Sequence, residues 1–429
     1  MSKVIRLDGR PNDGPDRLTE AVTTLAALRL ITGMEPNEFS AALAKELGWP
    51  IPLFVYLQWE QNGVQPPSSV HVGARTVSSR HPIGARSSTR SSRRHFLGGV
   101  VGLSTLALTG FSLGAEATTR LVDVGGPGGR WRASPETAAD LTTLATSYRR
   151  AYAGTAAVDH LLPSATGLMH VLMDMGRRDQ WPGRRAELAS LVGQITLLTG
   201  LLHLMGPRKL AGARARYELA LRAATEAEDW DLAAYVLGSL AFEATTAGRL
   251  GDARAIRDAT WDLARQRAAP RTRAWAAALS SELFARDGDE AASRRSLDDG
   301  FAAIGQTRDE PSWKGVGWFD ETRLIAYEGG NLVLLGQYPG AVGALRTALG
   351  QLAPDRLKHR CTLSTDLATA LVKQGEVEES CALAHDALSL ATAISHRESV
   401  ERVRRVRFQL LRWRAHPAVR ELSERLDAA

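Results

Sequence analysis

Cysteine is scarce in this chain, which has two of them in 429 residues. Two cysteines are too few for the disulfide framework of a small secreted domain or for a four-cysteine zinc site. Cys361 and Cys381 fall in one predicted pair of helices, on stretches rich in apolar residues. We therefore interpret both as small buried side chains in a protein of a reducing compartment.

The sequence also lacks the short motifs of common catalytic, cofactor and metal sites. It has no glycine-rich phosphate loop completed by Lys-Ser or Lys-Thr, no paired-cysteine zinc spacing and no His-Glu-x-x-His. Its histidines are scattered over different predicted helices, and we interpret them as packed or surface side chains. We therefore predict that the protein is not an enzyme and holds no cofactor and no metal.

One cluster of acidic and aromatic residues stands out, formed by Trp318, Phe319, Asp320 and Glu321. Its adjacent carboxylates would point to different faces of a helix, so they do not make an acid–base pair. We interpret the cluster as ordinary helix packing with a solvated acidic edge. A patch within a ligand groove is the alternative.

Alternation of β-branched and polar residues, which is typical of strands, is missing as well. Alanine, leucine and arginine are abundant instead, and all three are strong helix formers. We therefore predict an all-α protein.

Residues 1–16 are polar and rich in proline and glycine, without the apolar core of a signal peptide. We therefore predict that the protein is cytoplasmic.

The clearest positive pattern repeats between Gly238 and Leu390. Four glycines each have a small residue seven positions before them and another five positions after them; they are Gly248, Gly288, Gly336 and Gly375. The eight small residues are Ala241, Ala253, Ser281, Ser293, Gly329, Ala341, Ala368 and Ser380. The spacing predicts pairs of antiparallel helices, in which the first helix ends at the glycine and small residues stand where two helices approach closely. Stacked pairs of this kind build binding surfaces and seldom active sites.

These small positions, at intervals near 40 residues, resemble those of tetratricopeptide repeats. The resemblance covers roughly half of the chain and lacks most of the aromatic signature of these repeats. It implies that residues 135–429 form an α-solenoid, whose surface binds a peptide, small-molecule or protein effector. The basic segment 396–413 would then be the polar helix that closes the stack.

The stretch from Leu28 to Pro67 resembles the helix-turn-helix domain of Xre/Cro-like regulators. Gly33-Met34 matches the turn that precedes the family's second helix, predicted here at Pro36–Leu47, and a third helix is predicted from Pro52 to Glu60. The resemblance implies a DNA-binding domain at residues 17–67, with the third helix in the major groove. The whole chain resembles actinobacterial regulators that join such a domain to a helical-repeat sensor. It would then be a transcription regulator that binds double-stranded DNA, as a dimer.

The predicted DNA contacts come from the third helix, from the ends of the second and third helices, and from arginines further along the chain. They are Lys45, Leu53, Phe54, Leu57, Gln58, Gln61, Asn62, Arg90, Arg93 and Arg94. On the third helix only Gln58 has the hydrogen-bonding side chain that base edges require, because the other outward residues are apolar. An alternative is therefore a domain that has lost DNA binding and serves as a protein-interaction scaffold.

Residues 68–134 are predicted to form a basic, flexible linker that contains an apolar segment at 96–115. From 68 to 97 there are six arginines and no acid. The run from Ser92 to Leu97 resembles a twin-arginine export motif, and the 18 uncharged residues after it include five glycines. Because the motif is internal and the run is short for a bilayer, docking of this segment on the first repeat is favoured over a membrane span. A membrane-tethered sensor is the remaining alternative.

Overall fold

The computed structural model describes residues 25, 28, 29, 34, 36–61, 66–79, 116, 117, 119–121, 134–153, 158–177, 184–205, 211–307, 314–394 and 396–428. All regular structure in these residues is helical, which confirms the all-helical prediction. The helices are α1 (Pro36–Leu47), α2 (Leu53–Gln61), α3 (Ser68–Ser79), α4 (Pro135–Ala153), α5 (Val158–Arg177), α6 (Arg185–Met205), α7 (Ala211–Glu226), α8 (Trp230–Thr246), α9 (Leu250–Arg267), α10 (Pro270–Arg286), α11 (Glu290–Ile304), α12 (Glu321–Leu334), α13 (Tyr338–Gln351), α14 (Leu357–Gln374), α15 (Val377–Ala393), α16 (Arg397–Gln409) and α17 (Pro417–Asp427).

The chain divides into two compact units. Unit one comprises Met1–Arg150 and Val158–Thr260, and unit two comprises Ala151–Ala157 and Trp261–Ala429. The division falls within α9, inside the region that the repeat pattern covers. Each unit is described separately below.

In unit one, α1 packs against α2 and α3. The helix α3 differs from the sequence prediction, which placed its residues in a flexible linker. Val70, Ala74 and Val77 lie on one face of α3 and are buried, because an i, i+4, i+7 spacing aligns side chains along a helix. Burial of this face against α1 stabilises the helix despite its serine-rich ends. Residues 80–115 of the predicted linker, including the apolar segment 96–115, lie outside the described residues.

The second part of unit one is built on α6, which packs against α5, α7 and α8. Two glycines of α6 permit this close packing. A Cβ on Gly200 would stand 2.5 Å from the ring of Tyr217, and one on Gly193 would stand 2.8 Å from Leu232. Both distances are shorter than van der Waals contact, so any larger residue would push the neighbouring helices apart.

One stretch among the described residues is long and apolar enough to cross a membrane. It is Arg185–Leu204 of α6, with a mean hydropathy of 1.3, and 78% of this window is buried inside the protein. A core helix of a folded domain has the same properties, and α6 packs on three neighbours. The segment 96–115, which raised the membrane alternative, lies outside the described residues.

In unit two, consecutive helices pack as pairs: α10 with α11, α12 with α13, and α14 with α15. The first helices of the pairs also contact one another in order, α10 with α12, α12 with α14, and α14 with α16. The basic segment predicted as one closing helix consists of α16 followed by a short 3-10 helix, Leu410–Trp413. Beyond it, α17 packs on α15 and buries Val419, Leu422 and Leu426.

The turn inside each predicted pair has one backbone geometry. The four repeat glycines all have positive φ, from 74° at Gly248 to 89° at Gly375. The residue after the glycine donates its N–H to a carbonyl near the helix end, as Arg249 does to Ala244 at 2.8 Å. This left-handed turn disfavours side chains with a Cβ, which explains the glycine. Glu228 adopts the same turn between α7 and α8 with φ 50°, so the motif also occurs without glycine.

Candidate functional site

The first candidate site is the helix pair α1–α2 of unit one. Gly48 ends α1 with φ 74° and donates its N–H to the carbonyl of Ala44 at 3.0 Å. The buried hydroxyl of Ser40 donates to the carbonyl of Ile51 at 2.8 Å, which ties α1 to the start of α2. Phe39 and Tyr56 pack between the helices, with ring centroids 5.9 Å apart. The turn is therefore fixed from both ends by side chains of the core.

The residues of this pair that were predicted to contact DNA are divided between α1 and α2. Lys45 is exposed in the last turn of α1, and Leu53 is 42% exposed at the start of α2. Leu57 is half-buried on α2. Phe54, Gln58 and Gln61 lie on the same helix, whereas Asn62, Arg90, Arg93 and Arg94 lie outside the described residues.

Leu53 has an exposed apolar neighbour in the turn that precedes α2. Trp49, in the turn, is 37% exposed, and its ring meets the edge of Trp59 at 6.4 Å between centroids. Trp49 and Leu53 therefore present exposed apolar side chains beside the start of α2.

The eight small residues of the repeat pattern are all buried. Some of them bring helices together directly. Ser380 donates its hydroxyl to the carbonyl of Ala368 at 2.9 Å, across the α14–α15 pair. Asn331 donates to the hydroxyl of Ser281 at 2.8 Å, from α12 to α10. These positions therefore hold helices together, and none of them is available to a ligand.

The second candidate site lies in unit two, around Trp318. The guanidinium of Arg323 stands 5.9 Å from the centroid of the Trp318 ring, and that of Arg356 stands 5.4 Å from it. The His359 ring is 5.6 Å from the same indole. We call Trp318, Arg323, Arg356, Lys358 and His359 the Trp318 cluster. Its residues come from the segment before α12, from α12 itself and from the start of α14.

Lys358 extends this cluster towards the end of α4. Its ammonium donates to the carbonyl of Tyr152 at 2.5 Å and lies 5.0 Å from the centroid of the Tyr152 ring. Burial lowers the pKa of Lys358 to about 8. Burial, together with the charges of Arg323, Arg356 and Lys358, lowers the pKa of His359 far below its ordinary value. The histidine is therefore neutral at pH 7, and the positive charge resides on the other three side chains.

The acidic edge predicted at this cluster has a structural role. Asp320 accepts the backbone N–H of Arg323 at 3.1 Å and caps α12, which stabilises a helix N-terminus. The sequence pattern indicated the aromatic and acidic residues of this cluster but not its basic ones. A signal was available in the run from Arg356 to Arg360, which puts four basic side chains in five residues after Asp355.

Unit one contains a buried ion-pair network that the sequence did not predict. Glu243 is 2% exposed, and Arg249 donates to its carboxylate. Arg214 approaches the same carboxylate at 3.8 Å and pairs with the buried Glu218 at 2.9 Å. The arginines are about a quarter to a third exposed, so the acids are buried and the cations reach solvent.

Other titratable groups give no sign of a catalytic or metal site in the described residues. No group of three His, Cys, Asp or Glu residues there is arranged to hold a metal ion. Burial, with the charge of Arg216, lowers the pKa of His203 to about 4. Cys361 and Cys381 are free and buried, and burial raises the pKa of each thiol. Neither cysteine has the exposed, electropositive surroundings of a reactive thiol.

No protein-family model matches this chain, and no curated protein matches it either. Function must therefore be inferred from the geometry of the two candidate sites together with the resemblance carried by the motifs.

Proposed function

We propose that the protein is a DNA-binding transcription regulator, in which α1 and α2 form a helix-turn-helix and the later helix pairs form a TPR-like α-solenoid that binds an effector. The observation that carries the proposal is the α1–α2 pair, with its glycine turn and the Ser40–Ile51 hydrogen bond. Two short helices fixed around a tight turn are the supersecondary unit that many regulators place on DNA. The Xre/Cro resemblance of the same residues supports this reading.

The effector side of the proposal rests on unit two. Helix pairs that contact each other in order leave one face of each pair uncovered, and such faces serve as binding surfaces in repeat proteins. Conformational coupling would follow if the effector binds one arrangement of the chain more tightly than another. The regulator is proposed to act in the cytoplasm, as a dimer on DNA.

The test of DNA binding begins with sequencing of host genomic fragments that the purified full-length protein retains at low salt. We expect enrichment of a common segment with twofold symmetry. For that segment, Lys45→Ala should weaken binding several-fold, because an exposed lysine at a helix end supplies a phosphate contact. It should also reduce the slope of log affinity against log salt by about 1.

The matched control is Lys373→Ala, which removes an exposed lysine from the last turn of α14 in unit two. We expect this variant to bind DNA as the wild type does. Absence of any retained fragment at low salt would refute DNA binding. An equal loss in both lysine variants would show that only net charge matters and would remove α1 from the interface.

A second candidate function is a protein-interaction scaffold, favoured by the exposed Leu53 and Trp49 beside α2. In this reading Leu53→Glu abolishes association with a protein partner, because a charge is expensive to bury in an apolar interface, and any DNA affinity is unchanged. Quantitative affinity capture from host extract measures the loss. The control is Leu334→Glu, since Leu334 is 43% exposed on α12 and matches Leu53 in exposure. Equal capture by both variants would exclude the scaffold at this surface.

A further inference from the structure

We propose that the Trp318 cluster of unit two is a binding site for a small oxyanion, a carboxylate or a phosphate, recognised by Arg323, Arg356 and Lys358. The inference deepens the proposed function, because the oxyanion would be the effector. Only that consequence rests on DNA binding; the site itself is argued from the cluster alone.

The Trp318 cluster has an excess of positive charge. Several basic side chains elsewhere in unit two pair with acids at short distance, as Arg346 does with Glu379 at 2.7 Å and Arg402 with Asp366 at 2.6 Å. Among the described residues, Lys358 and Arg323 form no such ion pair. Their closest partners are aromatic rings and a backbone carbonyl. Two exposed carboxylates lie nearby: Asp355 is 3.6 Å from Arg356, and Asp320 interacts with the charges of Arg323 and Arg356. The three half-buried cations still outnumber these acids, and a bound anion would relieve the remaining repulsion.

The cluster also contains buried polar atoms. The indole Nε1 of Trp318 and the Nδ1 of His359 are buried without a hydrogen-bond partner in the described structure. An indole N–H is a donor only, so the atom it requires is an acceptor. An unpaired buried donor is costly, and the oxygens of an anion are strong acceptors. The unpaired indole N–H therefore points to the same class of ligand as the surrounding charges.

Helix α14 begins in a way that favours an anion. Its first turn has no acidic residue and no side-chain cap, and Lys358 and His359 occupy it instead. Cations at this end oppose the helix dipole, whereas an anion is stabilised by both the dipole and the free N–H groups. The two guanidiniums add planar donor groups that fit carboxylate and phosphate oxygens. A divalent cation or a neutral apolar ligand would gain nothing from this arrangement.

The proposal is tested by calorimetric titration of the full chain with inorganic phosphate and, separately, with succinate, against sodium chloride at equal ionic strength. Saturable heat with at least one of the two anions is expected. Lys358→Gln should weaken that affinity about tenfold or more, as expected for a lost charged hydrogen bond. The tighter of the two anions assigns the source as phosphate or carboxylate.

Arg346→Gln is the matched control, because it removes a surface cation of α13 that has its own acidic partner. Its affinity for the anion should equal that of the wild type. Lys358→Gln also removes the hydrogen bond to Tyr152, so folding is checked by circular dichroism. If that variant is unfolded, Arg356→Gln replaces it with the same expectation. No saturable binding, or equal weakening in the control, would leave the cluster as packing only and overturn the proposal.

A pH series gives a second readout. Lys358, with a pKa of about 8, is charged below that pH and loses its charge as the pH rises through it. Around it stand His359, His396 at the start of α16 and Tyr152. The other charged groups of the cluster are Arg323, Arg356 and the exposed carboxylates of Asp320 and Asp355. Wild-type affinity should therefore decline above pH 8 and that of Lys358→Gln should not. Parallel profiles would exclude Lys358 from the site.

Addition of the anion to the DNA-binding measurement separates this inference from the proposed function. Anion binding without any DNA binding would retain the site and refute the regulator. DNA binding without anion binding would refute the site and retain the regulator.

Discussion

Replacement of Arg249 with alanine is expected to lower the free energy of unfolding of unit one by about 3 kcal/mol. Arg249 donates to the carboxylate of Glu243, which is 2% exposed. Without Arg249 the nearest cation to that carboxylate is Arg214 at 3.8 Å, which already pairs with Glu218. In the variant, the desolvation cost of the buried Glu243 carboxylate is no longer offset by a close ion pair. This uncompensated cost exceeds the net free energy that the original pair contributes.

The control for this prediction is Arg185→Ala in the same unit. Arg185 pairs with Glu226 at 2.7 Å but is 84% exposed, and exposed pairs contribute about 0–1 kcal/mol. Urea unfolding followed by circular dichroism gives the global effect of each variant. Amide hydrogen exchange in α8 shows whether the loss is local to Glu243. Equal stabilities for the two variants would mean that the network contributes no more than surface ion pairs.

The second large effect is expected at two adjacent glycines of α12, where alanine should have opposite consequences. A Cβ on Gly329 would lie 2.6 Å from Cγ of Leu345 and 3.2 Å from its backbone nitrogen. Leu345 is fully buried on α13, so α12 and α13 must separate. Gly329→Ala should cost about 2 kcal/mol, in the range measured for overpacked cores.

Gly330→Ala is the matched comparison, because a Cβ there meets no atom within 4 Å. In a helix interior alanine is favoured over glycine by about 0.5–1 kcal/mol, so this variant should be more stable than the wild type. Thermal unfolding of both variants and hydrogen exchange in α12 and α13 measure the difference. A destabilised Gly330→Ala, or an unaffected Gly329→Ala, would contradict the close approach of these two helices.

The parts of the fold that the sequence predicted are those with a local physical cause. Helix α1 begins at Pro36 and ends at Leu47 as predicted, because proline suits the first turn and glycine suits the residue after the last. The positive φ at Gly248 and its three equivalents is likewise a requirement of the turn itself. Such features can be predicted from the residues within a few positions of the helix end or turn.

Some features that depend on distant contacts were not predicted. The serine-rich α3 was interpreted as linker because its composition outweighed its three-residue apolar face, Val70, Ala74 and Val77. The cluster at Trp318 was interpreted as helix packing with a solvated acidic edge, with a ligand groove as the alternative, since only its neighbours in sequence were visible. Lys358, which changes the charge of that site, is separated by 206 positions from the carbonyl it contacts, and no local pattern connects the two.

The order in which the helices of unit two contact one another also affects how this unit is made. Its main helix contacts join elements one or two places apart in the chain, so each hairpin needs only a short loop closure before it packs. A nascent polypeptide leaving the ribosome therefore supplies the partner of each helix soon after the helix itself. Unit two can therefore fold progressively during translation, and little of its apolar surface stays exposed until the C-terminal helices are synthesised.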